Sequence, residues 1–291
     1  MPIYDRSYRA YEGELHRGLA WWVIVRQELR VLFATRAFIL LLVLAGIHVA
    51  FRVGQVVVSD TLSANPDTPL AKAVRGISLL AVNERMFFEF LEGQSTILFW
   101  ILLFAGSGMI CNDIRYNLME VYFSKPITWR DYALGKIMTL VLIGILLTAV
   151  PGAFLVVLHN VLAPGWETLR SSSGWPISII LFSVILVVPC SLAVLAGSAL
   201  LRSQRTAGIS VFVFVLLDLS LAESLSDLFK NPNYNLLGVP LAIYHLGALL
   251  FHQHGSDIRV SWWWSALVVL AVSAAILGII CRKVRRCEVA S

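Results

Sequence analysis

Charge is what this 291-residue sequence has least of. Asp, Glu, Lys and Arg together make up 14% of it, against about 25% in soluble domains. With 58% hydrophobic residues and a mean hydropathy of +0.78, so small a charged fraction argues against a soluble globular chain and for one integral to a membrane. Cysteine is scarce too. Cys111, Cys190, Cys281 and Cys287 lie in or beside apolar runs with no CxxC spacing, which points away from a zinc site or a disulfide framework and leaves packed thiols as the plain reading. GxxxxGK[ST], HExxH and GxSxG are all missing, so nothing marks a phosphate-binding loop, a zinc hydrolase or a serine hydrolase. The first 36 residues are charged throughout and lack a short apolar core followed by small residues. The first apolar run is therefore expected to serve as its own membrane signal.

What is present is a series of six apolar runs, at about 37–58, 95–112, 137–158, 175–201, 206–222 and 261–281. Each is of the length that crosses a hydrocarbon core of about 30 Å as a helix. The expected fold is all-α, a six-span transmembrane domain over 37–281, preceded by a segment 1–36 and followed by a basic tail 282–291. Before the first span, Trp22, Val25, Leu29 and Leu32 recur at spacings of three and four, with Arg26, Gln27 and Arg30 off that stripe. This predicts a helix lying along the membrane surface, the alternative being that it extends the first span into water. In the first long connection, NERMFFEFLE puts Met86, Phe87, Phe90 and Leu91 opposite Arg85, Glu89 and Glu92, the pattern of a short amphipathic helix. GVPLAIYHLGALLF, ahead of the last span, is too short to cross and reads as a re-entrant or interfacial segment. Trp262, Trp263 and Trp264 then open the last span, where amphipathic rings favour the interface.

Several residues inside these runs invite a role. Gly106 and Gly108 allow close helix packing, and Pro151 and Pro189 each remove a backbone donor and bend a helix. His48 reads as a packed or hydrogen-bonded histidine. Asp218, toward the end of the fifth span, is either a functional intramembrane carboxylate or one near enough to the interface to be hydrated. His245, His252 and His254 accompany the short apolar segment, without the cysteine or carboxylate partners that would make a convincing metal site.

Orientation follows from the bases. With the N-terminus in the cytoplasm, the inner segments hold 16 of the 23 lysines and arginines, so both termini are expected inside. The net charge of +5 is thus topological information, and no nucleic-acid partner is implied because the bases gather on no single polar domain.

The most polar connection is then cytoplasmic: DIRYNLMEVYFSKPITWRDYALGK, residues 113–136. Thr128 and Asp131 have the spacing of a capping box that starts the third spanning helix. Pro126 holds Lys125 extended and separates that helix from an earlier one of about two turns. In the earlier helix Leu118, Val121 and Tyr122 share a face, with Arg115 and Glu120 pointing elsewhere. Such a helix serves either as a docking element for a soluble partner or as an amphipathic loop resting on headgroups.

This stretch resembles the signature between the second and third spans of ABC-2 type transporter permeases, especially the branch of copper-maturation and gliding-associated permeases. The six-span plan, the amphipathic N-terminal helix and the segment before the last span are similar to that family as well. One departure is Asn117, where the family usually has glycine; asparagine tolerates left-handed geometry. The resemblance implies a membrane subunit that binds no nucleotide and is not itself an enzyme. ATP and Mg would be bound by two copies of a cytoplasmic ATPase, docked on the coupling helix through Asp113, Arg115, Glu120, Tyr122, Pro126, Arg130 and Lys136 or the structure they hold. It further implies a second permease subunit, identical or homologous, with room for an external accessory protein, in the inner membrane of a bacterium, for export or for mechanical signalling. The alternative from the residues alone is an ion-coupled secondary transporter using Asp218, which calls for an inverted repeat that the sequence does not display. An intramembrane enzyme lacks its motifs.

Overall fold

The computed structural model describes residues 19–64, 81–125, 127–163, 165, 170, 172–253 and 260–290. Among these, every regular element is a helix. In chain order they are α1 (Ala20–Phe33), α2 (Arg36–Ala64), α3 (Glu84–Gly106), α4 (Cys111–Arg115), α5 (Leu118–Phe123), α6 (Trp129–Leu162), α7 (Trp175–Leu200), α8 (Gln204–Phe229), a 3₁₀ turn (Pro232–Leu237), α9 (Val239–Leu250) and α10 (Trp262–Ala290). Six of them are long and apolar enough to cross a membrane: α2, α3 continued through α4, α6, α7, α8 and α10. The chain is a multi-pass helical membrane protein, as its composition requires.

The helices outrun the apolar runs that announced them. At 26 to 34 residues and 1.5 Å per residue they reach about 40 to 50 Å, longer than the hydrocarbon they cross. The largest difference is in α3. NERMFFEFLE is not a separate helix but the first turns of the second span, capped by the Asn83 side chain, which accepts from the Met86 N–H at 3.0 Å. Nothing between Leu91 and Ser95 forces a break, because Gly93 is the only poor helix former there and Gln94 is buried in the bundle. The expected apolar face is correct, with Met86, Phe87, Phe90 and Leu91 all buried.

Three helices form the centre and three the periphery. In the most apolar stretch of α3, α6 and α7, 67%, 50% and 56% of residues are buried, against 11%, 11% and 17% in α2, α8 and α10. The peripheral helices turn Leu40, Phe51, Phe214 and Leu270 outward, a face suited to lipid. Gly106 permits the central contact: a β-carbon there would come within 2.6 Å of Leu140 Cδ1 and 2.7 Å of Val194 Cγ1.

The proline in α6 is provided for by a neighbour. Pro151 leaves the carbonyl of Leu147, four residues earlier, without its helical donor. Gln94 of α3 supplies one, its Nε2 donating to Leu147 O at 3.0 Å, while His48 Nδ1 of α2 lies 2.7 Å from Gln94 Oε1. The His48 ring stacks on Phe90. This histidine is packed and hydrogen-bonded, as expected.

Candidate functional site

The polar connection folds as two short helices hung between α3 and α6. After Gly106 the chain makes a turn over 107–110 and restarts as α4. The restart needs donors satisfied, and the buried Ser198 of α7 accepts from the amides of Ile110 and Cys111 at 3.0 and 3.1 Å. Asn117 separates α4 from α5 with φ of 56° and ψ of 26°, the left-handed conformation that asparagine tolerates better than most residues. The Thr128 hydroxyl accepts from the Asp131 N–H at 3.3 Å and the Asp131 carboxylate accepts from the Thr128 N–H at 3.2 Å. The expected capping box is therefore in place. Pro126 lies outside the described residues.

Of the seven residues singled out from sequence, the six that are described divide into two groups. Arg115, Glu120 and Arg130 are exposed and Tyr122 is half-buried. Asp113 and Lys136 are interior, at 6% and 1% exposure. A buried ammonium is costly unless paired and hydrogen-bonded, and Lys136 is both. Its Nζ lies 2.6 Å from Glu28 Oε1, 2.6 Å from Asp113 Oδ2 and 3.1 Å from the Met109 carbonyl. Three acceptors thus match its three donors. The Tyr132 hydroxyl donates to the same Asp113 oxygen at 2.7 Å, and the rings of Tyr122 and Tyr132, edge to face at 5.3 Å, each carry the ammonium within 6 Å of their centroids. Burial raises the Tyr122 hydroxyl above its ordinary range, against the pull of the Lys136 ammonium.

This network joins three pieces of chain: α1 through Glu28, α4 through Asp113 and α6 through Lys136 and Tyr132. Close approach of α1 to α6 is possible because position 135 is glycine; a β-carbon there would stand 2.8 Å from Ile24 Cβ and 3.0 Å from the Trp21 carbonyl. The buried side of α1 runs through Ile24, Val25 and Leu32. It therefore lies partly beside the stripe of Trp22, Val25, Leu29 and Leu32 read from the periodicity. Glu28, one turn from both Ile24 and Leu32, was missed. An acid in register with buried aliphatic residues was the available signal.

Between α1 and α5 lies a groove of about 550 Å³ with apolar walls from Val23, Ile24, Leu118, Val121 and Ile127. Arg26, Arg30 and Lys125 form its rim. Glu288 of α10 accepts from the Trp129 amide at 3.2 Å, so the tail of the last span also packs at this end of the bundle.

The remaining candidates stand apart. Asp218 of α8 accepts from the Val239 N–H at 2.9 Å. Val239 is the first residue of α9, and its preceding residue is Gly238, which has no capping side chain. The carboxylate therefore caps a helix N-terminus from another helix. The 12-residue α9 is too short to cross and packs against α7 and α10. His245 within it is buried, its Nδ1 2.7 Å from Ser265 Oγ. His252 instead faces Glu84 at 3.1 Å, and His254 lies outside the described residues. Among the described residues no three His, Cys, Asp or Glu side chains are grouped to hold a metal ion. No protein-family model and no curated protein matches this chain.

Proposed function

We propose that the chain is the membrane subunit of an ATP-driven transporter or force-transmitting complex of the ABC-2 type, receiving motion at α4 and α5 from a cytoplasmic ATPase subunit. The observation that carries this reading is a short exposed helix, α5, placed between two spanning helices and held from behind by the buried Lys136 network. A helix so backed passes a push on its exposed side to α1 and α6. The likeness of residues 113–136 to the coupling segment of those permeases supplies the partner. The excess of bases on the segments joined at this end supports a cytoplasmic location for it. On this reading Arg115, Glu120 and Arg130 meet the ATPase, whereas Asp113 and Lys136 hold the shape that presents them. ATP and Mg belong to the ATPase, two copies of which would act on two permease chains in a bacterial inner membrane. The α9 segment would enter the outer leaflet and return.

Co-purification tests it. The full chain extracted from membranes with a neighbouring nucleotide-binding subunit is expected to retain it and to stimulate its ATPase in liposomes. Glu120→Arg with Arg130→Glu, both exposed, should weaken that retention by about tenfold or more if these residues anchor the contact. Full retention and stimulation in the double variant, or transport driven by an ion gradient with no ATPase present, would refute the reading. Asp218, given a capping task by its bond to Val239, supplies no observation in favour of ion coupling.

A further inference from the structure

We propose that the groove between α1 and α5 binds the phosphate headgroup of an anionic phospholipid, with the start of an acyl chain along its apolar walls. Arg26, Arg30 and Lys125 surround the groove, all three exposed. No carboxylate among the groove-lining residues offsets them, and none of the three forms an ion pair with a described residue. The nearest acid on α1, Glu28, is committed to Lys136. Three cations thus border a concavity whose other described lining is mostly aliphatic, with Gln27 and the Tyr122 ring beside Val23, Ile24, Leu118, Val121 and Ile127. A ligand that complements both parts carries an anion joined to a hydrocarbon. Its volume lies within the range that holds a small ligand.

Lipid is favoured over a soluble protein by what borders the groove. On the helical wheel of α1, Arg26 and Arg30 fall between the groove and a second apolar edge made of Trp22, Leu29 and Phe33. Trp22 and Phe33 are exposed. Leu29 borders the buried face of α1, Trp22 and Phe33 lie further round, and Arg36 one turn on begins the spanning helix α2. A tryptophan and a phenylalanine exposed beside the start of a spanning helix mark the depth of the lipid headgroups. The two arginines therefore stand at headgroup level with a cleft behind them, as basic pockets for anionic lipids do. The proposal does not depend on the identity of any ATPase partner, because the residues assigned to that contact, Arg115, Glu120 and Arg130, do not line the groove.

Native mass spectrometry of the full-length protein in detergent, supplied with phosphatidylglycerol or phosphatidylcholine, tests it. Phosphatidylglycerol should be retained in preference. Arg26→Gln, Arg30→Gln and Lys125→Gln together should reduce its retention by about tenfold or more, while Arg282→Gln, Arg285→Gln and Arg286→Gln, which remove the same charge from α10, should change it by less than about twofold. Val121→Trp, which fills the groove and leaves the charge unaltered, should also reduce it. Equal losses in the two triple variants would reduce the effect to diffuse attraction and overturn the proposal. So would no effect of Val121→Trp, displacement of the lipid by inorganic phosphate alone, or loss of a co-purifying soluble protein from the groove variants with lipid retention intact.

Discussion

Replacing Lys136 by methionine tests whether the buried network is a structural strut. Methionine keeps most of the side-chain length and volume and removes the charge and the three donors. In the wild type the ammonium is 1% exposed and holds Glu28 and Asp113 at 2.6 Å each. Without it, two carboxylates with 17% and 9% side-chain exposure face each other across an apolar contact. Breaking a buried pair from one side costs about 3–5 kcal/mol, a large share of the roughly 5–15 kcal/mol that holds a folded domain together. At about 2–4 °C per kcal/mol for a chain of 150–250 residues, the melting temperature of the detergent-extracted protein should fall by about 6–20 °C. The triple variant Lys136→Met, Asp113→Asn, Glu28→Gln removes every charge at once and should recover much of the loss, since neutral groups of similar shape tolerate burial far better than an orphaned charge. Tyr132 can still donate to the amide oxygen that Asp113→Asn leaves in that background. The reasoning fails if Lys136→Met melts within about 2 °C of wild type, or if the triple variant is no more stable than the single one.

Two further substitutions probe the scaffold. Asp218→Leu removes the acceptor for Val239 N–H and should cost about 0.5–2 kcal/mol, as loss of a helix cap does. Faster hydrogen exchange at the α9 N-terminus would report it, whereas Asp218→Asn should keep most of the protection; equal exchange in both variants and wild type would remove the capping role. Gly106→Val places a β-carbon 2.6 Å from Leu140 Cδ1 and should push α3 off α6 and α7 at a cost of about 1–3 kcal/mol, seen as a lower melting temperature, while an unchanged melting point would show that the contact is looser than described.

The parts of this molecule legible in its sequence are those governed by neighbours along the chain. Apolar runs mark the spans, Thr128 and Asp131 are three residues apart, and Asn117 meets its left-handed geometry by its own side-chain chemistry. The parts that were not legible depend on distant partners. Glu28 and Lys136 are separated by 108 residues, and Gln94 meets a carbonyl 53 residues away. A helical wheel cannot distinguish an acid turned to water from one turned to a buried lysine. The joining of NERMFFEFLE to the second span was missed for a related reason: polarity marks where the membrane ends, whereas a helix ends only where a cap or a breaker stops it.

The distinction between exposed and buried charge changes how the 113–136 stretch acts as a unit. Had Asp113 and Lys136 been surface contacts, α4 and α5 would keep the Ser198 bonds and the packing of Met119 but no charged tie to α1 and α6, and more of a load on α5 would be absorbed by the turns at Asn117 and Ser124. Instead the attachment crosses the stretch near both of its ends. Asp113 stands where the chain leaves α3, Lys136 stands two turns into α6, and one ammonium ties them to each other and to α1. Opening that tie exposes at least one unpaired charge to an apolar interior, at a cost of several kcal/mol, whereas tilting α1, α4 and the first turns of α6 together, with α5 carried between α4 and α6, leaves all three contacts intact. The lower-energy response to a load on this end of the protein is therefore movement of these helices as one body, with bending deferred to the part of α6 beyond Lys136. There Pro151 has already removed one backbone hydrogen bond and Gln94 has replaced it with a side-chain contact from a neighbouring helix.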